Sequence, residues 1–431
     1  MTLAQIVAAG IFVTTFVVIL SERLHRTIAA LVGAVVMLIA GMALGFYSQE
    51  QALAAIDFNT LILLLGMMIL VRMLQHTGFF QYMAIKVAQR TRGNSLALFV
   101  ALGSLTTLLS MFLDNVTTVV LIVPITILIA EILGISPVPL LMAEALLSNT
   151  GGVATLVGDP PNVVIGSAAG FSFISFLTHL APLVLVAWLV ALLVLRFVFR
   201  RELGTRSANV AALVQLDANA GLTDPVAMRK ILIVLGAVVV LFFLQGALFL
   251  SPGVIALAGA TAALLWVRPN VDETLRRIEW SVLLFFAALF VAAGGLEASG
   301  VLGVIAGGMA ELADASLLGA SLVMLWVAAI LSAVIDNIPF TIAMIPVIER
   351  LGFLGINSTP LWWALALGAG FGGNGTPIGS TANVVTVALS EKTRTPITMR
   401  VWVRSGLPVM LATCAVASLL FILFFGWMQT H

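Results

Sequence analysis

Four short motifs hold most of the chemistry in this sequence. Two of them, Leu113-Asp114-Asn115-Val116-Thr117 and Ile335-Asp336-Asn337-Ile338, interrupt long apolar runs. Each follows a serine by one helical turn, Ser110 in one case and Ser332 in the other. A carboxylate inside hydrocarbon costs about 2.5–3.5 kcal/mol on insertion scales, so two in equivalent places point to a shared purpose. Both can also cap a half-helix, which would present a helix terminus to a ligand. The other two motifs are richer. Ser148-Asn149-Thr150-Gly151-Gly152 leads into Thr155, Gly158-Asp159-Pro160-Pro161 and Asn162. Its counterpart holds Gly372-Gly373-Asn374-Gly375-Thr376-Pro377, then Gly379-Ser380 and Asn383. Proline cannot continue a helical ladder and glycine lets it unwind, so each motif reads as a helix broken midway. Freed carbonyls, hydroxyls and amides at such a break can replace a ligand's water shell. The binding and coupling candidates are therefore Asp114, Asn115, Thr117, Asn149, Thr150, Thr155, Asp159, Asn162, Asp336, Asn337, Thr341, Asn374, Thr376, Ser380 and Asn383. Asp114, Asp159 and Asp336 are the proton-coupling candidates, because burial penalises the charged form of a carboxyl.

The motifs are copies of one another. Asp114-Asn115 and Asp336-Asn337 are 222 positions apart, as are Ile56-Asp57-Phe58 and Ile278-Glu279-Trp280. Thr77-Gly78 and Ser299-Gly300 show the same offset, and Thr155 to Asn162 matches Thr376 to Asn383 at 221. The matches fall on the rare polar residues, so the chain is an internal duplication. The copies are unequal at one place: Asp159 has Ser380 as its counterpart, so the first repeat carries an extra titratable group.

The surroundings of the motifs are membrane-like. Of 431 residues, 61% are hydrophobic and 9% charged, where a soluble protein carries about 25% charge. Apolar stretches of 17–20 residues recur along the chain, each able to cross roughly 30 Å of hydrocarbon. The stretch from Thr2 to Leu20 lacks a basic n-region and a cleavage site, so it reads as a retained span. The expected fold is an all-α polytopic membrane protein of two repeats, each with five transmembrane helices and one re-entrant hairpin. The first repeat spans 1–200, with a hairpin at 95–133 and a broken helix at 139–168. A cytoplasmic linker at 201–228 leads to the second repeat at 229–431, with a hairpin at 317–350 and a broken helix at 360–388.

The loops at 21–27, 77–94, 200–230, 268–280 and 389–404, with the flanking Arg72 and Arg196, hold 19 of the 20 Lys and Arg residues. That bias places them on the cytoplasmic face. Charge alone does not separate a hairpin from two full crossings. Shared Asp-Asn tips favour hairpins, because two surface turns on opposite faces would have no reason to share a sequence. Five spans per repeat is odd, so the second copy is inverted and both termini are extracytoplasmic. Inverted repeats with broken helices meeting at the midplane are a transporter architecture.

Other residues carry weaker signals. Glu131 and Glu144 are solvated or structural, and Arg72 reads as a snorkelling span-end residue. His25, His76, His179 and His431 do not pair at metal-ligand spacing, and Cys414 is the lone cysteine, so no metal site or cofactor is expected. Net charge of +1 gives no case for nucleic acid. Trp280, Trp402 and Trp427 read as interface anchors and Trp188 as a packing residue. An intramembrane aspartyl protease is disfavoured, because Leu156-Val157-Gly158-Asp159 lacks the Gly-x-Gly-Asp pattern.

The paired Leu-Asp-Asn-Val-Thr-Thr and Ile-Asp-Asn-Ile-Pro-Phe-Thr motifs, with Gly158-Asp159-Pro160-Pro161-Asn162-Val163, resemble those of the ion transporter superfamily. The nearest branch is the ArsB-type arsenite and antimonite permeases together with the melanosomal P protein. The resemblance covers essentially the whole chain. It implies an elevator-type carrier in the bacterial inner membrane, with homodimers in related branches and an arsenical ATPase as a partner. Sodium-coupled dicarboxylate carriers of the superfamily have Ser-Asn-Thr tips, whereas Asp-Asn stands here. An aspartate tip can titrate, which favours proton coupling. No Lys or Arg is expected in the core, so a neutral hydroxylated solute such as arsenous or antimonous acid fits better than a dianion. Proton-coupled efflux of arsenite and antimonite is the leading expectation. A sodium/proton antiporter and an anion carrier are the alternatives.

Overall fold

The computed structural model describes residues 1–21, 23–204 and 209–430; His431 and residues 205–208 of the expected linker lie outside the described residues. The described chain is helical. In the first half the helices are α1 (Leu3–Leu20), α2 (Arg26–Leu44), α3 (Gln49–Ala54), α4 (Phe58–His76), α5 (Phe79–Arg90), α6 (Ser95–Ser110), α7 (Asn115–Leu133), α8 (Val138–Gly152), α9 (Pro160–Ala169) and α10 (Phe173–Val198). The second half gives α11 (Pro225–Leu248), α12 (Pro252–Val267), α13 (Val271–Arg276), α14 (Trp280–Ala298), α15 (Leu302–Ala315), α16 (Leu317–Val334), α17 (Asn337–Phe353), α18 (Thr359–Gly372), α19 (Thr381–Ser390) and α20 (Met399–Leu423). The order of long, short and broken elements is the same in both halves.

Nine of the described helices are long and apolar enough to cross a membrane. They include α7 and α16, so arm length does not distinguish a hairpin from a crossing. Many starts are set by capping side chains, which satisfy otherwise orphaned N–H groups. Asp57 accepts from Asn59 N at 3.0 Å and Thr60 N at 3.2 Å to begin α4. Asp114 accepts from Thr117 N at 2.8 Å to begin α7.

The segment 77–94, expected as a loop, contains α5. Phe80, Ala84, Ile85 and Ala88 are buried along one face, a helical spacing among charged residues. The linker lies against this helix: Gln89 donates to the carbonyl of Leu216 at 2.7 Å, and Thr223 N donates to the carbonyl of Thr77 at 3.0 Å.

Two groups of helices emerge from the packing. In the first, helices pair across the halves, α2 with α14 and α4 with α12, with α1 and α11 alongside. Thr27 donates to the carbonyl of Ser281 at 2.9 Å within this frame. In the second group α6 lies along α8 and α16 along α18, while α7 packs on α19 and α17 on α9. Each hairpin therefore leans on the broken helix of its own half with one arm and on that of the other half with the second.

Candidate functional site

Both helix breaks are stitched in the same way. After α8 the chain leaves helical geometry until Asp159, and after α18 until Ser380. Asn162 donates to the carbonyls of Thr155 at 2.9 Å and Val153 at 3.2 Å. Asn383 donates to those of Gly373 at 2.7 Å and Thr376 at 3.0 Å. Thr155 then donates its hydroxyl to the carbonyl of Met111, and Thr376 to that of Ala333. A Cβ on Gly158 would stand 2.8 Å from the carbonyl oxygen of Ser110, and one on Gly379 3.0 Å from that of Ser332. Both hairpin ends are thus laid directly on the breaks, where only glycine permits the approach.

The arrangement redistributes the expected roles. Asn162, Thr155, Asn383 and Thr376 hold backbone together at the two breaks. The hydroxyl of Thr341 is bound to the carbonyl of Asn337 one turn earlier at 2.8 Å, and that of Thr150 to Leu146 at 2.7 Å. For Thr117 the structure gives the backbone N–H bond to Asp114.

The remaining candidates converge. Asp159 is the hub at one side: Asn337 donates to it at 3.2 and 3.4 Å, and Asn115 at 3.4 Å. The tips of both hairpins therefore reach the same carboxyl. Asn149 is the hub at the other side. It accepts from Asn115 at 3.1 Å and Ser380 at 3.3 Å, and donates to Asn383 at 2.8 Å and Asn374 at 3.1 Å. Asn374 in turn donates to Thr150 at 3.0 Å. Asp159 and Ser380 occupy matching N-cap positions, and neither side chain makes the cap bond, which leaves both free to face this cluster. Asp159 is only 2% exposed, and no cation pairs with it among the described residues.

The two tip aspartates differ. Asp114 caps its helix and meets no cation among the described residues. Asp336 is bound by Arg26 at 3.1 Å and by the Thr381 hydroxyl at 2.9 Å. This overturns the expectation of a core without Lys or Arg. Arg26 reads from sequence as one of several loop cations, and nothing local marks it. Thr381 is also absent from the sequence-derived set, although its place one residue after Ser380 was available as a signal.

Other expectations are corrected as well. Arg72 does not merely snorkel but lies 3.8 Å from Glu279. Trp402 is fully buried and donates to the carbonyl of Asn374 at 3.1 Å, so it supports the second break and does not anchor at an interface. Glu144 is fully buried; one carboxyl oxygen accepts from Thr126 and the other has no partner, while Glu131 is exposed. Trp188 donates to Thr107 at 2.8 Å.

Long apolar helices around a closed polar cluster of paired motifs suit a solute carrier, and comparison with known proteins agrees. The family model described as citrate transporter matches residues 16–368. The chain belongs to the citrate transporter family. An uncharacterized transporter of Mycobacterium tuberculosis is 38% identical over 426 residues, covering 96% of this chain and 97% of that protein. The human P protein is 33% identical over 496 residues, covering 96% of this chain and 59% of that protein. The YdaH transporter of Alcanivorax borkumensis, described as having an unusual topology, superposes with a TM-score of 0.61 at 16% identity, covering 89% of this chain and 88% of the other. This family member is an integral membrane transporter and not an enzyme.

Proposed function

We propose that the protein is a proton-coupled carrier that exports arsenite or antimonite, with Asp159 as the carboxyl that holds the coupling proton. The observation that carries this reading is the isolation of Asp159. Its donors are neutral amides from the two hairpin tips, and no cation pairs with it among the described residues. A bare buried carboxylate is costly, so a group in this setting is stable when it carries a proton or a bound cation. The rest of the cluster is amides and hydroxyls, suited to a small neutral solute with several O–H groups. In this reading the two repeats are inverted in the membrane, the hairpin tips sit at the midplane, and the cluster moves against the α2–α4–α12–α14 frame as an elevator. Both termini are extracytoplasmic, the membrane is a bacterial inner membrane, and the carrier works as a homodimer.

Everted vesicles with an imposed proton gradient test it. Arsenite uptake is expected in the wild type, with loss of at least a hundredfold in Asp159→Asn. Absence of arsenite uptake rejects the cargo, and gradient-driven uptake that survives in Asp159→Asn rejects the coupling role. Sodium-driven proton release from the same vesicles would replace this reading with sodium/proton antiport. Two observations favour a second reading, a carboxylate anion as cargo: Arg26 lies at the second tip, and the family model is described as citrate transporter. Citrate and succinate therefore belong in the transport panel.

A further inference from the structure

Arg26 and Asp336 tie together two groups of helices that also meet where α14 packs on α17 and α4 on α9. Arg26 is the first residue of α2, in the frame that pairs α2 with α14. Asp336 is the tip of the second hairpin and Thr381 is the first residue of α19, both in the group that carries the polar cluster. The guanidinium donates to both of them. It also lies 5.4 Å from the centre of the Phe285 ring on α14, so its position is fixed from the frame side. A cavity of about 290 Å³ opens beside the pair, lined by Leu24, His25, Ile378 and Val384 among others.

We propose that Arg26–Asp336 is a latch released by protonation: the ion pair holds the second hairpin tip against the frame, and a proton on Asp336 frees it. This deepens the proton-coupled reading above and rests on it. The step is balanced. The carboxylate takes one proton and becomes a neutral acid, and the guanidinium keeps its charge and its hydrogen bond to Thr381. The tip then loses its charge-assisted contact with α2.

The charged groups around Asp336 suit this role. Arg26 and His25 face it from the start of α2. Asp159 stands on the other side of Asn337, whose side-chain amide donates to it at 3.2 Å. Glu279, at the start of α14, lies within reach of the Arg26 charge. Glu349 and Arg350 of α17, and Glu311 and Asp314 of α15, belong to the open end of the hairpin, roughly 20 Å of helix away. Asp336 therefore has one cation bonded to it, and the carboxyl of Asp159 lies beyond the neighbouring Asn337. A change at Asp159 is passed to the latch through a single asparagine. The first hairpin has no such device among the described residues, since Asp114 pairs with no cation.

The test is a distance measurement in the full-length protein. Spin labels are placed at Val32 on α2 and Glu391 after α19, both exposed, in a Cys414→Ala background. In the otherwise wild-type protein the distance distribution is expected to gain a longer component when the pH falls from about 8 to about 3, a span that crosses the ordinary aspartyl value of about 3.9. Asp336→Asn and Arg26→Gln are expected to show the longer component at both pH values. The charge exchange Arg26→Asp with Asp336→Arg is expected to restore the shorter one at about pH 8, which a merely structural residue would not allow. A wild-type distribution unchanged across the range overturns the proposal. So does an Asp336→Asn distribution that matches the wild type at high pH. No cargo is present, so failure here leaves the cargo assignment untouched, and failure of arsenite uptake leaves the latch untouched.

Discussion

Asn149 carries more of the site than any aspartate. It meets four side chains, Asn115, Asn374, Asn383 and Ser380, which come from one hairpin tip and from the break of the other half. Each such bond is worth about 0.5–1.5 kcal/mol net, and an orphaned buried partner costs about 1–3 kcal/mol. Asn149→Ala is therefore expected to lower stability by about 2–4 kcal/mol, read as an earlier thermal transition in detergent; an unchanged midpoint would remove its hub role. The residue scale also shows how unequal the copies are. At the 221-residue offset Asn149 corresponds to Gly370, and Asn374 to Val153. Where Asn149 meets Asn374 through amides, Gly370 meets Val153 so closely that a Cβ would stand 2.1 Å from the valine methyl. One side of the pseudo-symmetric contact is polar and the other is apolar. With Asp159 opposite Ser380, this gathers the titratable and amide groups to one side. The sequence displays these differences, but only the folded contact gives them a meaning.

The elements are positioned by backbone approach as much as by side chains. A Cβ on Gly372 would lie 2.4 Å from the carbonyl oxygen of Ala329, and one on Gly368 2.3 Å from that of Leu325, so α16 and α18 touch backbone to backbone. Gly236 on α11 has nothing within 4 Å. Gly372→Ala is expected to destabilise by about 2 kcal/mol or more through overpacking. Gly236→Ala is expected to be neutral or to stabilise by up to about 1 kcal/mol through helix propensity. Denaturation midpoints of the two purified variants make the comparison, and equal shifts would contradict the close packing. The breaks were legible in the sequence because polar residues, glycine and proline are costly inside apolar helices and stand out there. Helix α5 was missed because charges at Lys86, Arg90 and Arg92 masked a four-residue apolar stripe.

For the whole molecule, the proposed topology of five crossings per repeat would place both termini on one side. Fusions of alkaline phosphatase to either end are expected to be active, and fluorescent-protein fusions at those ends dark. A fluorescent fusion at either end would reject the orientation drawn from the Lys and Arg bias. Much of the organisation at this scale follows from the sequence alone. Duplicated motifs, apolar run lengths and the placement of breaks are periodic or local signals, and each reports a large local energy such as a buried charge or an interrupted helical ladder. The tertiary structure decided which of those polar groups meet. Asn337 reaches Asp159 across 178 residues, and Arg26 reaches Asp336 across 310. Pairings at such separation depend on how helices cross and lean, a property of the assembled packing with no local spacing to record it. For that reason the same sequence announced its aspartates plainly and left Arg26 among the loop cations.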